Sequence, residues 1–311
     1  MRREPPIAVG PASVEHVETA IVAGGGRPAR PEEAEGVVWL DPSDPDGLRD
    51  MLKDSPATWV QLPFAGIEAF FDAGVITPDR TWTCTKGAYG RSTAEHALAL
   101  VLAAARHLHE HLRARSWRPG FGRLGAPEQR LEGSTILVVG TGGIGSALVE
   151  MLHPLGPRVL ASNRSGRPLE GAERTLPADR LGELLLDADF VVIAASLTSA
   201  TRHMFDKAAL EEMKPSAWLV NVARGGLVDT AALVDALQAG TIGGAALDVT
   251  EPEPLPDGHP LWAMTNCIIT PHVANTADMA LPELVAMVER NVGHFVREEQ
   301  LEGVVDVSLG Y

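Results

Sequence analysis

The chain is poor in cysteine: Cys84 and Cys267 are its only two among 311 residues, far apart and in no metal-like spacing. Two such thiols cannot build a disulfide framework. That excludes the small stapled secreted folds, suits a reducing compartment, and leaves both as small buried hydrophobes. A membrane-length apolar run is missing too. The longest, Ala97 to Ala105, lies between His96 and Arg106 and is about half a membrane span, so it reads as a buried helix. Met1-Arg2-Arg3 is followed by Glu4-Pro5-Pro6 and not by the apolar core of a secretion signal. Basic residues are outnumbered, 26 Lys and Arg against 41 Asp and Glu, for a formal net charge of -15. A polyanion binder needs a basic face to displace counterions, so nucleic acid and anionic membrane surfaces are excluded as partners. Small anions are not excluded, because a few arginines can reverse the potential locally. The chain also lacks internal repeats and low-complexity tracts. A hydrophobic fraction of 45% and a charged fraction of 22% fit a globular, cytoplasmic protein with length enough for two domains.

What is present alternates. Ile7-Ala8-Val9, Val37 to Leu40, Thr58 to Leu62 and Thr81 to Cys84 read as strands, with helical stretches at Val14 to Val22 and Leu48 to Lys53. Such alternation implies βαβ units and a parallel sheet. Ser92-Thr93-Ala94-Glu95 has the form of a capping box and predicts one long helix to about Arg115. A polar Gly/Pro-rich connection, Arg118 to Gln129, leads to a second series. Its strands are expected at Thr135 to Val139, Arg158 to Ala161, Phe190 to Ala194, Trp218 to Asn221, Gly244 to Leu247 and Cys267 to Ile269. Asp206 and Asp229 are expected to cap helices, the first closed by Pro215 and the second stopped by Gly240; a last helix runs from about Leu281 to Arg297.

Thr135 to Val139 enters Gly140-Thr141-Gly142-Gly143-Ile144-Gly145 and then an apolar helix, which is G-x-G-x-x-G in a strand-turn-helix setting. The first glycine permits the tight turn, the second lets backbone approach a pyrophosphate, and the third lets helix lie against strand. The helix N-terminus supplies amides and a positive dipole end, so Gly140, Gly142, Gly143, Ile144 and Gly145 are expected to cradle a dinucleotide. About 130 residues precede this motif, so the cofactor domain is inserted into another α/β domain. The second strand of the cofactor domain ends in Asn163-Arg164-Ser165, where an NAD site places Asp or Glu on the ribose 2′-hydroxyl. An amide followed by a guanidinium would bind a 2′-phosphate, with Ser165 and Arg167 in the same cradle, so NADP(H) is expected in preference to NAD(H).

Three later segments each place charged or titratable residues just after a short apolar strand. They are Asn221 to Asp229 with Arg224, Ala246 to Leu255 with Asp248, Glu251 and Glu253, and Thr270-Pro271-His272-Val273-Ala274. In an open parallel sheet that is where ligands bind. Reduction of a ketone beside a carboxylate needs a cation for the carboxylate, an acid for the oxygen, and a carboxylate to orient the acid. Arg, His and Glu meet those needs.

Together with Asp189-Phe190-Val191-Val192, Leu197-Thr198 and Thr201-Arg202, these motifs resemble the D-isomer-specific 2-hydroxyacid dehydrogenase family, particularly its glyoxylate/hydroxypyruvate reductase branch, over nearly the whole chain. The resemblance implies two doubly wound parallel-sheet α/β domains, a Rossmann-type cofactor domain inserted into a flavodoxin-like substrate domain. Boundaries are expected at 1–94 with 282–311 for the substrate domain and 95–281 for the cofactor domain. It implies Arg224, Glu253 and His272 as catalytic residues, Glu253 being preferred to Glu251 by its place before Pro254. Asp248 would bind the nicotinamide carboxamide. Backbone at Ala65 and Gly66 and at Ala88 and Tyr89 would hold the substrate carboxylate with Arg224, and Phe64, Tyr89 and Trp117 would line the pocket. A homodimer through the cofactor domain is implied as well. Ser196, where many members have proline, and Thr250, where many have an aromatic, depart from the family pattern. The chain ends at Tyr311 without the regulatory domain of longer phosphoglycerate dehydrogenases.

Other functions keep the fold: a redox-sensing NAD(P)-binding scaffold without turnover, or an activity like that of D-3-phosphoglycerate, formate or phosphite dehydrogenases. The His107, His109 and His111 group reads as a polar helix surface and not as a metal site, because no HExxH pattern accompanies it.

Overall fold

A computed structural model describes residues 4–117 and 128–307. It divides into two compact units, Met1–Tyr89 with Thr276–Tyr311, and Gly90–Asn275. The sequence places those boundaries at 94/95 and 281/282. Most of the expected connection, residues 118–127, lies outside the described residues.

The first unit carries strands β1 (Pro6–Gly10), β2 (Arg27–Pro28), β3 (Gly36–Trp39), β4 (Trp59–Gln61) and β5 (Thr81–Thr83), with helices α1 (Glu15–Ala23), α2 (Pro45–Leu52) and α3 (Glu68–Asp72). The strands pair in parallel in the order β2-β1-β3-β4-β5, the flavodoxin-like arrangement. Side chains alternate between two apolar layers, as the two-residue period of a strand requires. Ile7, Val38 and Trp59 join one layer, while Ala8, Val37, Trp39 and Val60 join the other.

The second unit opens with α4 (Gly90–Ala105) and α5 (Leu108–Arg113). It then runs β6 (Thr135–Val139), α6 (Gly143–Leu152), β7 (Arg158–Asn163), β8 (Arg174–Pro177), α7 (Gly182–Leu185), β9 (Phe190–Ile193), α8 (Lys207–Glu211), β10 (Trp218–Asn221), α9 (Thr230–Ala239), β11 (Gly244–Leu247), α10 (Pro260–Ala263) and β12 (Cys267–Ile269). All pairings are parallel, in the order β12-β11-β10-β9-β6-β7-β8, with the strand order reversing at the β6–β9 boundary. This is a Rossmann-type sheet with one strand added, buried on both faces. The chain then returns to the first unit through α11 (Ala277–Val296). There Asn291 donates to Gln61 Oε1 at 2.9 Å and to Glu302 O at 3.1 Å, tying α11 to the sheet through a fully buried amide.

Several expectations are corrected. The long helix predicted from Ser92 begins at Gly90, and the Ser92 hydroxyl donates to Asn275 Oδ1 instead of capping. It also does not reach Arg115. The helix stops at Ala105, and His107 takes a left-handed conformation with φ 48° before α5 begins. The last helix starts at Ala277, not Leu281, and carries Pro282 inside it. His107 and His109 are buried, so the histidine group is no polar surface; only His111 is exposed, 3.4 Å from Glu128. Asp206, Asp229 and Gly240 cap as expected, with Gly240 at φ 69°. Both cysteines are buried, and burial pushes the Cys267 thiol up to about 12. No helix among the described residues is long and apolar enough to cross a membrane.

Candidate active site

The site is built at the carboxyl ends of the second unit's strands. β6 ends in Gly140 at φ 100°, a conformation open to glycine at little cost. A Cβ there would also lie 2.5 Å from the Ala194 backbone, at the end of β9, so the turn is pressed into the crevice where the strand order reverses. Gly145 fits where nothing larger does, because a Cβ would meet Gly140 O at 2.0 Å. Gly142 N-caps α6 with no side-chain cap, and beyond its chain neighbours no atom of the described residues lies within 4 Å of the place its Cβ would take. The first amides of α6 are therefore reachable by a phosphate, which is what a dinucleotide cradle requires.

At the end of β7, Asn163 organises the adjoining loop. Its amide nitrogen donates to Thr141 Oγ1 at 3.1 Å and to Arg167 O at 2.8 Å, and its oxygen accepts from Ser165 N at 3.2 Å. Arg164, Ser165 and Arg167 are exposed around it.

The three predicted catalytic residues all lie in this unit, in loops after β10, β11 and β12. Asn221 Nδ2 donates to Arg224 O at 2.9 Å and fixes the backbone from which that guanidinium projects. Its Nη1 donates to Ala223 O at 2.8 Å. His272 Nδ1 meets Glu253 Oε1 at 2.5 Å, with both side chains about half exposed. Glu251 is committed elsewhere: Arg202 Nη2 lies 2.5 Å from its Oε1, and His203 Nε2 lies 2.6 Å from its Oε2. Hydrogen bonding from His203, with more from Arg202, outweighs burial and holds Glu251 below the ordinary carboxylate range. Glu253, which the family pattern favours by its place before Pro254, is thus the glutamate that meets His272, while Arg202 and His203 occupy Glu251.

Asp248 has a larger place than expected. Its carboxylate accepts from Thr270 Oγ1 at 2.6 Å, Val273 N at 3.0 Å and Ala274 N at 3.0 Å, with His96 Nε2 at 3.3 Å. These bonds clamp the 270–274 turn, in which His272 sits at φ 52° with its amide on Asp248 O at 2.8 Å. A left-handed non-glycine residue persists only where its surroundings over-determine it, and here they do. His96 and Thr270, 2.9 Å apart, are supports of this turn that sequence reasoning missed. Burial alone would raise the Asp248 pKa, but the bonds from His96, Thr270 and the two amides lower it to about 2.

An unfolded Asp titrates near 3.8, so the stabilisation is complete above that value and is lost as pH falls through about 2. It amounts to roughly 2 kcal/mol. The stability gap between the wild type and Asp248→Asn, read from urea midpoints, should therefore be widest near neutrality and close below about pH 3. A gap that stays constant to pH 2.5 would contradict the clamp.

The predicted substrate loops belong to the first unit, after β4 and β5. There the Ala88 amide donates to Thr85 O at 3.1 Å within its own turn. The Tyr89 hydroxyl donates to Pro63 O at 2.7 Å, and burial pushes its pKa to about 12. Ala65 is exposed and Gly66 half-buried; Phe64 packs tilted against Tyr89 with ring centroids 5.7 Å apart, and Trp117 is 92% exposed.

Fold, glycine turn and acid–base pair together define a Rossmann-type nicotinamide-dependent oxidoreductase. A sequence model of the D-isomer-specific 2-hydroxyacid dehydrogenase NAD-binding domain matches residues 98–274. The chain is 40% identical over 296 residues to an uncharacterised protein of Corynebacterium melassecola, covering 94% of this chain and 96% of that one. It is 38% identical over 226 residues to glyoxylate reductase of Pyrococcus furiosus, covering 70% of this chain and 66% of that enzyme. Among solved structures it resembles the NADPH-dependent glyoxylate/hydroxypyruvate reductase of Sinorhizobium meliloti, in complex with NADP and sulfate, with TM-score 0.82 and 26% identity. That likeness covers 99% of this chain and 100% of that one. The chain belongs to the D-isomer-specific 2-hydroxyacid dehydrogenase family.

Proposed function

We propose that the protein reduces a small 2-oxo acid of the glyoxylate/hydroxypyruvate class to the D-2-hydroxy acid, with NADP(H) preferred to NAD(H). Arg224, Glu253 and His272 form the catalytic group of this reading. The observation that carries it is the His272–Glu253 pair at the carboxyl end of the sheet that also bears the Gly140–Gly145 turn. A carboxylate only accepts, so His272 Nδ1 carries the proton toward Glu253, and Nε2 is left to pass a proton to the substrate oxygen. Glu253 keeps the ring's orientation through that transfer. Arg224 holds the substrate carboxylate with two parallel donors. The nicotinamide, when bound, supplies hydride to the carbonyl carbon.

The test is a panel of 2-oxo acids assayed with NADPH and NADH in parallel. Turnover of glyoxylate or hydroxypyruvate supports the reading. Tight NADPH binding with no turnover of any 2-oxo acid would replace it with a scaffold.

Preference for NADP(H) rests on Asn163 standing where a carboxylate would repel a 2′-phosphate, and on the exposed guanidinium of Arg164 beside it. The S. meliloti relative being NADPH-dependent supports it. Charge-assisted hydrogen bonds of this kind contribute about 1.5–3 kcal/mol. Arg164→Ala should therefore raise the KM for NADPH about 10- to 100-fold while leaving that for NADH nearly unchanged. Equal effects on both cofactors would reject the preference.

A further inference from the structure

The bend between α4 and α5 brings together side chains that the proposed reaction does not use. His107, left-handed at φ 48°, and His109 bring their ring centroids within 5.9 Å, and Glu110 follows. One ligand atom from each of the three lies within 4.8 Å of the other two. His107 Nδ1 is 3.3 Å from Glu110 Oε1, and His109 Nε2 is 3.9 Å from the same oxygen. Four-coordinate zinc with donors at about 2.0–2.2 Å separates adjacent donors by roughly 3.4 Å, so only small side-chain adjustments are needed.

A second observation points the same way. His107 is 8% exposed, yet its Nδ1 has no hydrogen-bond partner among the described residues, although it lies close to the Glu110 carboxylate. Buried polar atoms are nearly always satisfied, so an imidazole nitrogen left unmatched beside a carboxylate needs an explanation. A cation between them supplies one.

We propose that His107, His109 and Glu110 form a binding site for one divalent transition-metal ion of the zinc class. Two imidazoles and a carboxylate are borderline donors that suit zinc, and water or a further donor completes four-coordination. The His109 ring rests edge-on against Trp218, centroids 5.1 Å apart, and Arg113 donates to Met264 O, Thr265 O and Cys267 O. Trp218 and Cys267 open β10 and β12, so the site lies at the amino ends of the strands, opposite the His272 end. Its role is to hold the α4–α5 bend against the sheet.

The experiment uses tag-free full-length protein stripped of metal and titrated with Co2+, then with Zn2+ in competition. One equivalent of Co2+ should give the visible bands of low-symmetry, four-coordinate cobalt, be displaced by one equivalent of Zn2+, and raise the thermal midpoint. His107→Asn, chosen because Asn tolerates the left-handed backbone, and Glu110→Gln, on the half-buried side, should each weaken binding about 100-fold. His111→Gln should leave it unchanged. No stoichiometric binding at micromolar Co2+ or Zn2+ by folded protein would overturn the proposal. So would binding that survives both His107→Asn and Glu110→Gln, or that is lost equally in His111→Gln.

Discussion

His272→Gln should lower kcat roughly 100- to 10,000-fold with glyoxylate or hydroxypyruvate while NADPH still binds. The size follows from the role proposed for the ring. Hydride arrival leaves negative charge on the substrate oxygen, and without a positioned acid that charge must wait for water. The glycine turn proposed to receive the cofactor phosphates is formed by β6 and α6 and does not involve His272, so cofactor affinity, read by fluorescence titration, should be retained. His272 has a left-handed backbone, so a second variant separates strain from chemistry. His272→Asn fits that conformation more readily and should be equally inactive. If either variant keeps more than about a tenth of the wild-type kcat, the ring is not the acid.

Arg224→Gln should cut kcat/KM by roughly 100- to 1,000-fold, with much of the loss appearing in KM. The side chain is set by a backbone that Asn221 holds from within, and the neighbouring Gly225 packs against the Thr250 backbone, so the variant should fold. Arg224→Lys should recover little, because an ammonium offers a point charge where a planar fork matches a carboxylate in two parallel bonds. Full rescue by lysine would mean that Arg224 supplies only charge, and that some other group fixes the orientation of the acid.

Much of this was legible in the sequence because it is governed by local rules. The unbroken aliphatic run of β6 followed by Gly140 to Gly145, and the caps at Asp206, Asp229 and Gly240, are short-range signals that tertiary contacts did not override. The two-residue β2 and the edge strand β8 escaped, being too short or too polar to show a strand period. The helix break at His107 was unreadable for a different reason: histidine enters the left-handed region more often than most residues but still only rarely, so its presence in a run of helix formers does not mark a break. The Ser92-x-x-Glu95 pattern misled because the helix had already begun two residues earlier. At the site, residue types and order were visible, and their supports were not. His96 reaches Asp248 across 152 positions of sequence, a contact that no spacing rule announces.

That contact has a consequence for how acid affects turnover. Asp248 stays ionised down to about 2, so the buttress beneath His272 outlasts any moderate acidification. A decline of rate on the acid side above about pH 4 would then report ionisation of groups that meet the substrate, and kinetic titration would read chemistry free of scaffold collapse.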